Sequence, residues 1–397
     1  MVFISTFDVL LWSRQTEDMK TFRVSVFLFL SSLLLIFTSL NMIQHAESTA
    51  EPPTSLPPVS TSTLRGVNLL DPVLIQTSVG PPYYLGNPPP VNNSLHLIKS
   101  YGFNFIRVPY YWESYQANPD KFLQEVEIIA SLAEKLGLHV DWDFHHLKAS
   151  SYFYFFNSSS YGGFPYFFLS KYPFNGGESA EKKFWKDFFD RNITYKGKDI
   201  WQLQAEFMIK IVRTVDKYSS TLGYEILNQP TVFDKSQYAK IGKYNTFMAQ
   251  QLRNHTSKFI IFDFACNSAC SDIEFSNQSL LKPLGVDNVI FAPHRFGKPY
   301  TDMFTFLENL SSNWGGIPIV IGEWARRDQA EMVKYICELQ AAGIGWAFWS
   351  WNYQEHGEVG VPLNNINYSP TQYLQNLLSV MKISDANGMK CSQDILS

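Results

Sequence analysis

Tyr224-Glu225-Ile226-Leu227-Asn228-Gln229-Pro230 is the stretch on which the fold is decided. A short apolar run closed by a turn signal reads as a strand covered on both faces, and proline cannot extend the hydrogen-bonded ladder. The run therefore predicts a buried strand with a polar tip, Asn228-Gln229. Seven further segments share this form. The eight candidate strands lie at 65–70, 103–110, 139–145, 223–229, 259–265, 289–296, 318–325 and 345–352. Helical patterns fall between them at roughly 121–136, 199–217, 236–252, 327–341 and 370–382.

Regular alternation of strand and helix marks a parallel α/β architecture. Eight strands favour a closed (β/α)8 TIM barrel over an open doubly wound sheet. No Gly-x-Gly-x-x-Gly turn follows the first strand, so a dinucleotide-binding sheet would lack its phosphate cradle. A barrel alone takes roughly 250 residues, and the chain has 397. The expected barrel domain spans 64–385, with the helix at 370–382 closing it and a short polar tail, 386–397, beyond. The sequence shows no second folded domain and no internal repeat. Between the third and fourth strands the chain makes a long aromatic-rich insertion, residues 147 to roughly 200. It contains Tyr152-Phe153-Tyr154-Phe155-Phe156 and Phe164-Pro165-Tyr166-Phe167-Phe168. Such a segment forms either a satellite core or one wall of a substrate groove.

Charge narrows the partners. Lys+Arg 32 against Asp+Glu 36 leaves a faintly acidic protein, without the basic surplus that binds nucleic acid. Aromatic residues make up 16%, material both for a core and for stacking against sugar rings. At the N-terminus Lys20 and Arg23 precede an apolar run at 24–40, and Ser48-Thr49-Ala50 offers a small-x-small cleavage site. Residues 1–50 thus read as a signal peptide or as a hydrophobic anchor giving membrane association through 24–40. Residues 51–63 form a Pro/Ser/Thr-rich linker that buries no core. The expected location is extracellular, or the outer face of a membrane. Sequons at Asn92, Asn157, Asn192, Asn254, Asn277, Asn309 and Asn367 suit export. The four cysteines, Cys266, Cys270, Cys337 and Cys391, lack zinc-ribbon spacing, while Cys266–Cys270 and Cys337–Cys391 bridges are both compatible with export.

In a (β/α)8 barrel the residues at strand C-termini converge on one face and are read together. Here those tips are Arg107, His145 with His146, Asn228 with Gln229, His294 with Phe296, Glu323, and Trp349 with Trp351. With Arg65-Gly66-Val67-Asn68, Ile106-Arg107-Val108-Pro109, Asp143-Phe144-His145-His146, Asn228-Gln229-Pro230, Pro293-His294-Arg295-Phe296-Gly297, Ile321-Gly322-Glu323-Trp324 and Phe348-Trp349-Ser350-Trp351, the chain resembles glycoside hydrolase family 5. This is the cellulase and β-mannanase family. The order and spacing of the motifs, over 64 to 385, carry the resemblance.

The resemblance implies hydrolysis of β-glucan or β-mannan with retention, through a covalent glycosyl-enzyme. That chemistry needs two carboxyl groups roughly 5–5.5 Å apart. By the resemblance Glu323 is the nucleophile, and Arg107 keeps it ionised as a neighbouring cation. Asn228 bonds the sugar's 2-hydroxyl, His145 and His294 are subsite histidines, and Trp349 is the stacking platform, with Trp351 its rival. The partner is an oligo- or polysaccharide, and the protein a monomer. Retaining hydrolysis requires no metal and no organic cofactor.

Two residues depart from the family pattern. Gln229 stands where the acid/base Glu belongs, and Phe296 where a Tyr bonds the nucleophile. An amide donates a hydrogen bond but transfers no proton. General acid–base catalysis is typically worth 10²–10⁴-fold, roughly 3–5 kcal/mol. Glu225, about 13 Å back along an ideal strand, is expected near the barrel floor and out of reach. Glu355, His356 or Glu358, on the loop after strand eight, could reach in. Three readings remain open: a hydrolase acting where the leaving group needs no protonation, as plant myrosinases do with Gln at the corresponding position; a non-catalytic carbohydrate-binding protein; and a structural protein that kept only the fold. The joint presence of Glu323 and Arg107 counts against the last.

Overall fold

The computed structural model describes residues 60–75, 89–146, 152–153, 163–265, 275–295, 303–325 and 329–351, with positions 374, 375, 377–379 and 381. The leader at 24–40, most of the linker, Cys266, Cys270, Cys391, Phe296, Glu355, His356, Glu358 and the tail lie outside them. The barrel belongs to one compact unit, Leu56–Ser397. Among the described residues no helix is long and apolar enough to cross a membrane.

Eight parallel strands form the barrel: β1 Arg65–Leu69, β2 Phe105–Tyr110, β3 His139–Phe144, β4 Thr221–Glu225, β5 Phe259–Asp263, β6 Val289–Ala292 resuming at His294–Arg295, β7 Val320–Trp324 and β8 Gly345–Trp351. Each pairs with its sequence neighbour, and β1 pairs with β8. The ring closes at β6. Its first part pairs with β5 through Phe262↔Phe291, and beyond Pro293 its second part pairs with β7 through Glu323↔His294. Proline cannot donate to a ladder, so the strand changes partners where a bond would be lost anyway.

Seven longer helices are described: α1 Val91–Ser100, α2 Pro119–Leu136, α3 Gly177–Phe189, α4 Ile200–Val215, α5 Gln237–Arg253, α6 Met303–Asn313 and α7 Gln329–Ala341. Local signals set their ends. Asn118 accepts from the Lys121 amide at 3.1 Å, Pro119 opens α2, and Gly137 closes it in the left-handed conformation at φ 65°. At α4, Asp199 and Gln202 form a reciprocal capping box. On α2, Phe122, Val126, Ile129, Ala130 and Ala133 share one buried face. Helices α1, α3 and α6 are additional to the sequence expectations.

Period-two alternation along the strands stacks the barrel interior in layers. Phe105, Leu222, Ile261, Ile290, Val320 and Ala347 belong to an apolar cluster that plugs the lower barrel. Two residues beyond Phe105 and Ile261 stand Arg107 and Asp263, so a polar layer sits directly above the plug. The described part of the insertion is mostly packing. Phe153, Phe164, Phe168, Phe184, Trp185 and Phe188 are buried in the main core. Phe164 lies 5.8 Å from the Phe144 ring and Trp185 lies 5.0 Å from His146, which braces the tip of β3 from outside. Of the cysteines, Cys337 is disulfide-bonded.

Candidate active site

Arg107 organises the barrel mouth. On β2, two residues above the floor, it is fully buried and uses all three guanidinium nitrogens. Nε and Nη2 donate to the two Glu225 oxygens at 2.7 Å each. Nη2 also donates to Asn228 Oδ1 at 2.8 Å and lies 3.0 Å from Asp143. Nη1 donates to Glu323 Oε1 at 2.5 Å and to Asn68 Oδ1 at 2.9 Å. Asn68 is fixed in turn by donating to the Gly322 and Phe348 carbonyls. A planar fork suits this multiple carboxylate recognition in a way an ammonium would not.

Glu225 therefore corrects an expectation. It does not sit at the floor but shares the mouth layer with Asp143, its ladder partner. The regular ladder of β4 ends at Glu225. Residues 226–229 run on irregularly, with Ile226 N–H on Ile261 and Asn228 N–H on Phe144. Ideal strand rise thus overstates the distance between Glu225 and the tip. Both Glu225 oxygens are nevertheless occupied by Arg107, so it supports the site and is not presented to a substrate.

Glu323 is placed by a slip in the β7–β8 register between Ile321 and Trp324. The slip lets Glu323 face Arg107 while Trp324 turns out against Tyr335, ring centroids 5.1 Å apart. Gly322 is needed beside it: a Cβ there would lie 2.8 Å from His294 Nε2. Burial dominates the titration of Glu323 and raises it to about 7, against the downward pull of Arg107. Arg107 thus acts on this carboxyl in the expected direction, and burial outweighs it. One guanidinium is shared among Glu323, Asp143 and Glu225, so it cannot fully compensate each. Asp143 is likewise raised by burial to about 7, and Glu225 is raised for the same reason. Arg107 itself stays charged; burial acts to lower it, but Asp143, Glu225 and Glu323 together raise it well above its ordinary value.

Opposite lies a second chain of contacts, one without a cation. Gln229 follows β4 at φ 41°, an unusual backbone for a non-glycine residue. Its N–H is held by Asp263 Oδ2 at 2.7 Å, and its side-chain nitrogen donates to His294 Nδ1 at 2.8 Å. With Nδ1 accepting, the ring proton sits on Nε2, which faces Asp263 Oδ2 at 3.3 Å. His294 Nδ1 also lies 3.6 Å from Glu323 Oε2. The two legs, 2.8 and 3.6 Å, meet at one atom, so the Gln229 amide nitrogen and the Glu323 oxygen are separated by at most their sum, about 6.4 Å. Burial holds His294 well below its ordinary value, with Arg107 adding to the effect, and raises Asp263 well above its own.

His145 Nδ1 bonds Asp143 at 2.6 Å, and its ring is stacked on Trp349, centroids 5.6 Å apart at 12°. Burial lowers His145 to about 4, so it is neutral at physiological pH. Trp349 is half-buried, whereas Trp351 is fully buried against Tyr101; only Trp349 is available to a ligand. The structure thus brings Arg107, His145, Asn228, Gln229, His294, Glu323 and Trp349 to one mouth. It adds Asn68, Asp143, Glu225 and Asp263. Two triads, Asp143–His145–Glu323 and Glu225–Asp263–His294, each hold donor atoms within 4.8 Å, but the Arg107 guanidinium already supplies positive charge among them.

The profile of the cellulase family, glycosyl hydrolase family 5, matches residues 62–355. The chain belongs to glycosyl hydrolase family 5. Against curated proteins the sequence finds no significant match. Among solved structures, this family 5 barrel resembles an endogalactoceramidase at TM-score 0.62 and 15% identity, covering 80% of each chain. It also resembles endo-glycoceramidase II from Rhodococcus sp. at TM-score 0.58 and 15% identity, over 79% of this chain and 77% of that one. Cellulose synthase subunit Z from Clostridioides difficile superposes at TM-score 0.51 and 15% identity, over 80% and 99%. At such identities the likeness is one of fold.

Proposed function

We propose that this family 5 protein is a retaining β-glycosidase in which Glu323 is the nucleophile and Gln229 occupies the acid/base position without performing its chemistry. The observation that carries the reading is the separation of at most about 6.4 Å between the Gln229 amide and the Glu323 carboxylate, which suits double displacement. Arg107, His145, Asn228, His294 and Trp349 are proposed to hold the sugar around that pair. The substrates proposed are β-glucan- or β-mannan-type saccharides, with fast release of the aglycone confined to those that leave without a proton. Glycolipid headgroups join that set, because the endoglycoceramidases share the barrel.

The protein is further proposed to act as an exported or membrane-anchored monomer. The apolar leader at 24–40 and the exposure of Asn92, Asn192, Asn254 and Asn309 support export. A second reading, a carbohydrate-binding protein without turnover, is favoured by one observation: both amide and histidine at the proton-donor side are neutral.

Activity on an activated aryl β-glycoside and on cellulose or mannan divides the two. The hydrolase reading predicts aryl-glycoside turnover that falls by at least about 10³-fold in Glu323→Ala. It also predicts a gain of about 10²–10⁴-fold on polysaccharide in Gln229→Glu. Saccharide binding with no turnover of any glycoside establishes the binding reading instead.

A further inference from the structure

We propose that the protein is a transglycosidase that moves a glycosyl group between two acids, with a carboxylate as the acceptor in place of water. The inference rests on the retaining reading above and concerns the second half of that reaction. In double displacement the group that protonates the departing oxygen in the first step deprotonates the attacking water in the second. Gln229 can do neither. The constraint on the leaving group therefore has a mirror image: the acceptor must also arrive without a proton to lose.

The described carboxylates offer no substitute base. Glu225 gives both oxygens to Arg107. Asp143 is bound by His145 and Arg107. Asp263 accepts the backbone N–H groups of Gln229 and Phe264, and it lies fully inside the barrel. What the mouth presents next to Glu323 is an amide pinned to a neutral histidine. A carboxylate at position 229 would repel an incoming anion, whereas an amide dipole does not. Once Glu323 is esterified by the sugar, its own charge is also removed from that space.

The chemistry balances without a proton. A Glu323 oxygen forms a bond to the anomeric carbon as the bond to the donor oxygen breaks, and the electron pair departs on a carboxylate or phenolate. An acceptor carboxylate then bonds the same carbon, and the pair of the breaking ester bond returns to Glu323. One glycosyl ester or phenolic glycoside is consumed and one glycosyl ester is made.

The test uses the full chain with 2,4-dinitrophenyl β-glucoside, β-mannoside, β-galactoside and β-cellobioside as donors, and acetate, benzoate and azide as acceptors. The expected result is a stoichiometric burst of dinitrophenolate, a mass gain of one glycosyl group on the peptide carrying Glu323, and slow release in water. Acceptor anions should raise the steady-state rate by about 10²-fold or more and yield the 1-O-acyl sugar or glycosyl azide. In Gln229→Glu, water should compete and the anion effect should fall below about twofold. A glycosyl-enzyme that forms but hydrolyses rapidly, at a rate indifferent to the anions, overturns the transfer proposal and leaves the retaining reading standing. No burst and no adduct with any donor overturns both.

Discussion

On one side of the barrel mouth, Arg107 binds Glu225, Glu323, Asn228 and Asn68 through every nitrogen of its guanidinium, with Asp143 3.0 Å away. On the other, Asp263, His294 and Gln229 form a connected chain that contains no formal cation and presents an amide at its end. Both halves rest on the same apolar plug and are buried except for Gln229, which is half-buried. They differ in what they could do to a glycosidic bond: the first holds a carboxylate poised to attack, and the second has lost the proton its partner would need. A fold can thus keep the costly half of a site, a buried cation among carboxyls, while neutralising the other half with one atom's exchange.

The largest effect should come from removing the cation. Arg107→Met leaves Glu225, Asp143 and Glu323 without their shared partner and should destabilise the protein by about 3–5 kcal/mol at pH 8, measured by urea unfolding. The loss should shrink at pH 5. Asp143 and Glu323 titrate near 7 in the folded protein, above their ordinary values of 3.8 and 4.5. A folded pKa raised in this way gives stability that is fully present below the unfolded value and lost as pH climbs through about 7. The wild type should accordingly lose stability between pH 5 and 8. Equal losses for Arg107→Met at both pH values would show that charge compensation is not its role.

The next effect separates the halves by pH. Glu323 attacks only when ionised, so kcat/KM on an aryl glycoside should rise up to tenfold per pH unit below about 7 and level above it. With Gln229 in place no descending limb should follow from position 229. Gln229→Glu should convert the plateau into a bell. A descending limb already present in the wild type would reveal another acid, with Glu355, His356 and Glu358 the first to substitute.

The smallest effect concerns the rim. Trp349→Ala removes a half-buried ring stacked on His145 and should raise KM about tenfold with little change in kcat, the mark of binding shared by ground and transition states. A fall in kcat alone would mean that the ring positions His145.

The barrel was legible because buried parallel strands write themselves as short apolar runs, and seven of the eleven residues gathered at the mouth stand at tips that this pattern exposes. Asn68, Glu225 and Asp263 were missed for separate reasons. Asp263 closes β5 as a charged residue after four apolar-to-aromatic neighbours, and the reading of strand tips applied to β5 would have found it. Asn68 lay within a quoted motif, but nothing in spacing tells that its amide bridges Arg107 to the β7 and β8 backbones. Glu225 was misjudged because sequence supplies an ideal strand, and the real one loses its ladder at that residue. Helix α3 was hidden for a different reason: its Phe184, Trp185, Phe188 and Phe189 face the main core, and so aromatic-rich a segment masks helical period.

The most direct test of the contrast between the halves is the dependence of kcat/KM on leaving-group acidity, measured over a series of substituted aryl β-glycosides for the wild type and Gln229→Glu. A steep decline with rising leaving-group pKa in the wild type, flattened in Gln229→Glu, is the predicted result. Identical slopes would contradict it, for position 229 would then have no part in the departure of the aglycone.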